Sequence, residues 1–252
     1  MCSLGAAASQ CSWGAVDSRC RRPPIKTNVG FLRLTRSKSV DFVIPDDCLQ
    51  IGAEALTRAK DLLVPCPDPG ICIASSPERH TPPAAFHMHQ IAGSELFVGL
   101  YLQPATLWFL APIDSALSCP DKGQLPPEFI LASDHTVLPP WRPGRGTGVF
   151  FKPDCDPVVV PQSHILLEAY MRLYARDCGK RVGSFAMAMI AYMELYVEAD
   201  GLLDADRLPE PLRKFYRELN SGDKPVRRWT RELKEALGVS TEGFEDSEDD
   251  GS

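Results

Sequence analysis

An α+β fold, with a mixed β-sheet in the N-terminal half followed by a C-terminal helical segment, is predicted by three observations. Extended apolar runs crowd the stretch from about residue 29 to 160. Helical spacing takes over after Ser163. The two kinds of element do not alternate one by one, as they would in a parallel α/β fold. The chain has 252 residues, of which 44% are hydrophobic, enough for a real core. Residues 1–28 read as a poorly ordered segment and 29–240 as a single α+β domain, with its sheet part at about 29–160 and its helical part at about 161–238. Residues 241–252 read as an acidic disordered tail.

Residues 1–28 mix Ser, Gly, Cys and Ala with the basic cluster Arg19-Cys20-Arg21-Arg22 and then Pro23-Pro24, and follow neither period. Phe31–Leu34 and Val40–Ile44 are extended apolar runs bounded by turn residues. Pro45-Asp46-Asp47 closes the second run, and Asp46 or Asp47 can cap a helix carrying Ile51, Ala55, Leu56, Ala59, Leu62 and Leu63 on one face. Between Val64 and Pro83 the prolines at 65, 67, 69, 77, 82 and 83 predict a long loop. Ala85–His89 and Glu95–Leu102 then read as strands, and Thr106–Leu110 as a third apolar run. Phe129–Ser133 and Val149–Phe151 are short strand candidates. Val158-Val159-Val160 is a better one, being β-branched and followed by a proline.

Ser163–Asp177 is the clearest helix, with Ser163 as N-cap, Glu168 and Arg172 four residues apart, and Gly179 just past the end. Its apolar positions 165, 166, 169, 170, 173 and 174 form a stripe that must be buried. Further helices are predicted over about 183–199, 209–220 and 225–237.

Net charge is -6. The last twelve residues hold six acids and no base, leaving 27 acids to 27 bases in the body. A neutral body gives no electrostatic footprint for nucleic acid or an anionic membrane surface. No run reaches the roughly 18 apolar residues of a membrane span. Nine scattered cysteines, an odd number with no secretory signal ahead of them, fit reduced thiols in a cytoplasmic protein rather than a disulfide framework.

Two constellations carry chemistry. The first is Arg36-Ser37-Lys38-Ser39-Val40-Asp41-Phe42-Val43-Ile44. Phosphoryl and nucleotidyl transfer need carboxylates on a rigid strand to hold Mg²⁺, with hydroxyl and basic groups nearby to position phosphates. Asp41 supplies a carboxylate and Arg36, Ser37 and Lys38 the phosphate-binding groups. The simpler reading makes Asp41 a strand acid facing water or pairing with Lys38 or Arg36. The second constellation is Cys66, Cys72, His80, His87 and His89. Thiolates and imidazoles are the ligands zinc prefers, and His87 and His89 on a strand point to the same face. Four of these five side chains can meet around one Zn²⁺. Against this, the spacing fits no finger pattern, and buried cysteines often serve as small apolar residues.

Weaker signals read as structure. Trp141–Gly148 is a flexible turn without a P-loop ending, and Ser133-Asp134-His135 is a turn rather than a triad. Lys224, Arg227, Arg228 and Arg231 around Trp229 form a solvated helix face.

The first constellation resembles the core of nucleotidyltransferase-fold proteins. These open on a Gly-rich start, here Gly5-Ala6-Ala7-Ala8-Ser9, and continue with an Arg-to-acid strand, here Arg36–Ile44. The run Val158–Arg176, with Glu168 and Arg176, is similar to the helical part that follows their sheet. The resemblance implies a nucleotide or phosphorylated small molecule as ligand, Mg²⁺ at Asp41, and Arg36, Ser37 and Lys38 as binding residues. The chain departs from the family at Ser39 and along Phe97–Leu102, where the other acids should stand. One carboxylate of three implies a degenerate active site. The alternative is a non-catalytic interaction or scaffolding protein with a structural zinc site.

Overall fold

The structure, a computed structural model, describes residues 29–30, 39–66, 68, 72, 82–90, 97–113, 125–132, 134 and 158–241. It is α+β, and the chain divides into two compact units, Met1–Gln162 and Ser163–Ser252.

The first unit is built on a mixed sheet. Its strands are β1 (Val29–Gly30), β2 (Ser39–Ile44), β3 (Leu63–Pro65), β4 (Phe86–Gln90), β5 (Phe97–Leu102), β6 (Phe129–Leu131) and β7 (Val159–Pro161). Their order across the sheet is β3-β4-β5-β2-β1-β7-β6. β2 and β5 run parallel through six paired residues, from Ser39 opposite Phe97 to Ile44 opposite Leu102. β4 lies antiparallel to β5, and β3 antiparallel to β4. Pairing across these ladders gives the sheet two faces with alternate residues on each.

One face is clothed by helix α1 (Leu49–Arg58). Ile44, Leu56, Leu63, Met88 and Leu100 are buried together there, with Phe42, Phe86, Val98 and Leu102 packed against them. Burial of this size, at about 25 cal/mol per Å² of apolar surface, is what holds α1 to the sheet. The helix starts from a 3-10 turn over Asp46–Cys48 and takes no side-chain cap from Asp46 or Asp47. It also ends earlier than its apolar spacing predicts. Leu63 lies in β3, yet it buries in the same cluster that a longer helix would have reached.

The apolar run Thr106–Leu110 is no strand. It follows a single helical turn, α2 (Gln103–Thr106). Gln103 does the work of a strand neighbour there. Its amide donates to the carbonyl of Ala111 at 2.8 Å and its Oε1 accepts from the N–H of Ile113 at 2.8 Å. A buried amide satisfied on both sides fixes the turn.

The second unit holds α3 (Ser163–Asp177), α4 (Arg181–Tyr192), α5 (Leu212–Ser221) and α6 (Val226–Ala236). α4 continues as a wider turn over Met193–Glu198 with π-type spacing. α3 is buried almost all round, as befits a core helix. Glu168 on it accepts from the Arg172 Nε at 2.8 Å. Burial pushes the Glu168 carboxyl up while Arg172 opposes it. The Ser163 Oγ, at the start of α3, donates to the carbonyl of Leu202 at 2.8 Å. Two residues past the end of α3, Gly179 has a φ of +88°, which favours glycine. α4 then packs so closely that a Cβ at Gly183 would lie 2.3 Å from the carbonyl oxygen of Asp177. Trp229 on α6 is fully buried, its Nε1 donating to the carbonyl of Phe215. Lys224 beside it pairs with Glu218 and Glu232. No described helix is long and apolar enough to cross a membrane.

Candidate metal centre

The opposite face of the sheet, at its β3-β4-β5 edge, is built differently. β4 turns His87 and His89 to this side, because two residues apart on a strand means one face. β5 contributes Phe97, whose ring centroid lies 6.2 Å from each imidazole. The two imidazoles stand edge to face at 5.6 Å. Cys66 follows directly on β3, which pairs with β4 and so delivers the thiol beside the histidines. Cys72 comes in from the connection between β3 and β4. Its N–H donates to the carbonyl of Asp68 at 3.0 Å.

Four ligand atoms meet here. One nitrogen from each of His87 and His89 and the sulfurs of Cys66 and Cys72 all lie within 4.8 Å of one another. The Cys72 Sγ and the His89 Nε2 are 3.3 Å apart. Tetrahedral zinc, with bonds of about 2.3 Å to sulfur and about 2.0 Å to nitrogen, sets its ligand atoms about 3.3 to 3.8 Å apart. The four atoms therefore need to close by about 1.5 Å at most, within the reach of side-chain rotations. Cys66 and Cys72 are free thiols.

The surroundings suit a cation. Cys72 is 9% exposed and packs with Phe97 and Cys66. Burial pushes the Cys66 thiol up, the neighbouring Cys72 adds to this, and a hydrogen bond from the backbone of Asp68 pulls the other way. A divalent cation reverses the effect of burial, because a coordinating thiol is deprotonated outright.

Sequence reasoning named all four of these ligands. The fifth candidate, His80, lies outside the described residues, as do Arg36, Ser37 and Lys38, the glycine start Gly5–Ser9 and the Trp141–Gly148 turn. Asp41 is placed on β2, 9% exposed. It belongs to no group of three or more potential ligands among the described residues, so nothing supports a Mg²⁺ site there. Asp134 sits at a turn, its N–H donating to the carbonyl of Leu131.

Three residues of this face were not singled out as parts of a site: Phe97, Gly99 and Tyr101 on β5. Alternate residues of β5 share a face with alternate residues of β4, and only the register says which. Compared with protein-family models, with curated proteins and with solved structures, the chain matches none.

Proposed function

We propose that this chain is a non-catalytic interaction or scaffolding protein whose sheet edge is locked by a structural zinc ion on Cys66, Cys72, His87 and His89. One observation carries the reading: two thiols and two imidazoles from three separate places in the chain converge within 4.8 Å on a sheet face. Soft sulfur with imidazole selects zinc over magnesium or calcium, which require oxygen. Four protein ligands complete a tetrahedron and leave no position for a reactive water, which is the mark of a structural rather than a hydrolytic site. The ion would tie the proline-rich connection to the sheet, a segment that has few apolar residues to bury. Metal analysis of protein purified without chelator tests this directly. One equivalent of zinc is expected, falling to none in Cys72→Ser. Less than one equivalent in the unmodified protein ends the reading.

A second reading, a nucleotidyltransferase-like domain with a degenerate site that binds a nucleotide or phosphorylated ligand, is favoured by Asp41 being a buried carboxylate on a strand with a parallel neighbour. It predicts that nucleotide with Mg²⁺ raises the melting temperature and that Asp41→Ala removes the rise. The structural-zinc reading predicts no rise with any nucleotide.

A further inference from the structure

Two of the four candidate ligands are thiols, and they are neighbours. The sulfurs of Cys66 and Cys72 lie within 4.8 Å of one another, and Cys66 packs against the cluster of Cys72 and Phe97. Both are reduced. The sulfurs of a disulfide stand about 2 Å apart, so the pair has to close by about 3 Å at most. One change of χ1 well moves a sulfur by roughly that much. The backbone between the two is already drawn into a turn, because the Cys72 N–H donates to the carbonyl of Asp68 at 3.0 Å.

The same two sulfurs serve the metal, and they can do only one thing at a time. Thiolate is the form that binds the ion, and a sulfur shared in a disulfide has given up that charge. With both sulfurs bridged, His87 and His89 remain, which is half of a tetrahedron. Bridging and zinc binding therefore exclude each other. A bridge joins Cys72 to Cys66 at the end of β3, whereas the metal joins it to β4 as well. Cys48 and Cys178 are reduced too, but neither belongs to a group of three or more potential ligands among the described residues.

We propose that Cys66 and Cys72 are a site of reversible disulfide modification, closed by hydrogen peroxide, and that its closure expels the zinc ion. The inference rests on the structural-zinc reading and adds a regulation to that site. Cys66 is half-buried, whereas Cys72 is 9% exposed, so the oxidant reaches Cys66 first. The Cys66 thiolate attacks one peroxide oxygen and the O–O bond breaks. The departing hydroxide takes a proton from solvent and leaves as water, and Cys66 becomes a sulfenic acid. The Cys72 thiolate then attacks the Cys66 sulfur. The S–S bond forms as the S–O bond breaks, and a second hydroxide takes a proton and leaves as water. Two electrons pass from the two thiolates to the peroxide, two protons are consumed, and zinc goes into solution. A dithiol reductant restores both thiols.

The experiment treats the zinc-loaded full chain with hydrogen peroxide and follows released zinc with a chromophoric indicator, while tryptic digests report on the sulfurs. Cleavage after Lys60 and Arg79 yields a peptide, 61–79, in which Cys66 and Cys72 are the only cysteines. A bridge between them makes this peptide lighter by two hydrogens and protects it from alkylation. The whole equivalent of zinc is expected to be lost at the rate at which the bridged peptide appears, and to return after dithiothreitol and added zinc. Zinc retained in excess peroxide overturns the proposal. So does zinc release with 61–79 unbridged, its cysteines carried on to sulfinic acid or joined elsewhere in the chain. Unmodified protein that purifies without zinc is a separate result, which overturns the metal centre itself; the peptide assay then still decides whether the two thiols pair.

Discussion

The two faces of the sheet in the first unit solve the same problem by different means. On the α1 face, Ile44, Leu56, Leu63, Met88 and Leu100 bury one another, and no single contact decides the outcome. On the other face, at the same edge, the cluster among the described residues is Cys72 and Phe97 with Cys66 against them. A helix can bring an apolar stripe to a sheet because its period repeats a face every turn. The sequence between β3 and β4 carries Pro67, Pro69, Pro77, Pro82 and Pro83, which do not support such a helical stripe. Where apolar area runs out, a few strong, directional bonds to a metal can replace it, as in small zinc-dependent domains. The consequence is a difference in failure. The α1 face should weaken by degrees, whereas the metal face should fail when one ligand is lost.

The largest expected effect breaks that comparison on the metal side. A chelator in excess should remove the free energy that zinc binding adds to the folded state, about 4 kcal/mol if free zinc stands near a thousand times its dissociation constant. The unfolding transition of the first unit should fall by roughly 10 °C, and Cys72→Ser should unfold there with or without chelator. Leu100→Ala strikes the helix face instead. Truncating a leucine that is 3% exposed should cost about 3 kcal/mol, with zinc stoichiometry by metal analysis unchanged. A chelator that leaves the transition where it was would show that the metal face holds without its ion.

Much of this arrangement was legible in the sequence, and the reasons for the gaps are physical. The strand-rich half and the helical half read correctly because their periods differ, and Val40–Ile44, Ala85–His89 and Ser163–Asp177 were found nearly whole. The end of α1 was not, because Leu63 fits a helical stripe and a strand equally well and buries in the same cluster either way. Thr106–Leu110 was ambiguous for a related reason: an apolar run does not reveal that a side-chain amide, Gln103, has taken over the pairing of the backbone beyond it. The four candidate ligands were legible from residue type and from the two-residue spacing of His87 and His89. The pairing of Gly99 with Asp41 on one side and His87 on the other was not, since it depends on a register across three strands that no local pattern encodes.

A buried imidazole outside the candidate metal centre sharpens the contrast. His164 on α3 is held neutral, its pKa pushed down to about 4 chiefly by burial, then by the charge of Arg207, with Asp204 opposing. The folded state therefore binds fewer protons than the unfolded one between pH 6.5 and about 4. The stability that the neutral ring contributes is complete above pH 6.5 and is lost as pH falls toward 4, by at most about 3 kcal/mol. His164→Gln should flatten this acid limb in the second unit, read by unfolding at successive pH values in the presence of excess chelator so that metal release does not contribute.

The smallest effect tests the finest point of the comparison. Gly99→Ala adds one methyl group, in ordinary extended backbone, at the place where the Tyr101 ring lies 2.9 Å from the new carbon. On the α1 face a single extra methyl would be absorbed by neighbouring leucines and methionines with small rotations. Here the ring must swing aside, because the neighbour is a rigid aromatic fixed on the same strand. Overpacking of this kind costs about 1 to 2 kcal/mol, measurable by denaturant unfolding. The telling quantity is which property moves with it. Gly99 pairs with His87, so if the packing beside that histidine supports the metal, zinc affinity drops together with stability. A loss of stability at constant zinc affinity would mean that Tyr101 only fills space, and that the two faces differ in their ligands alone.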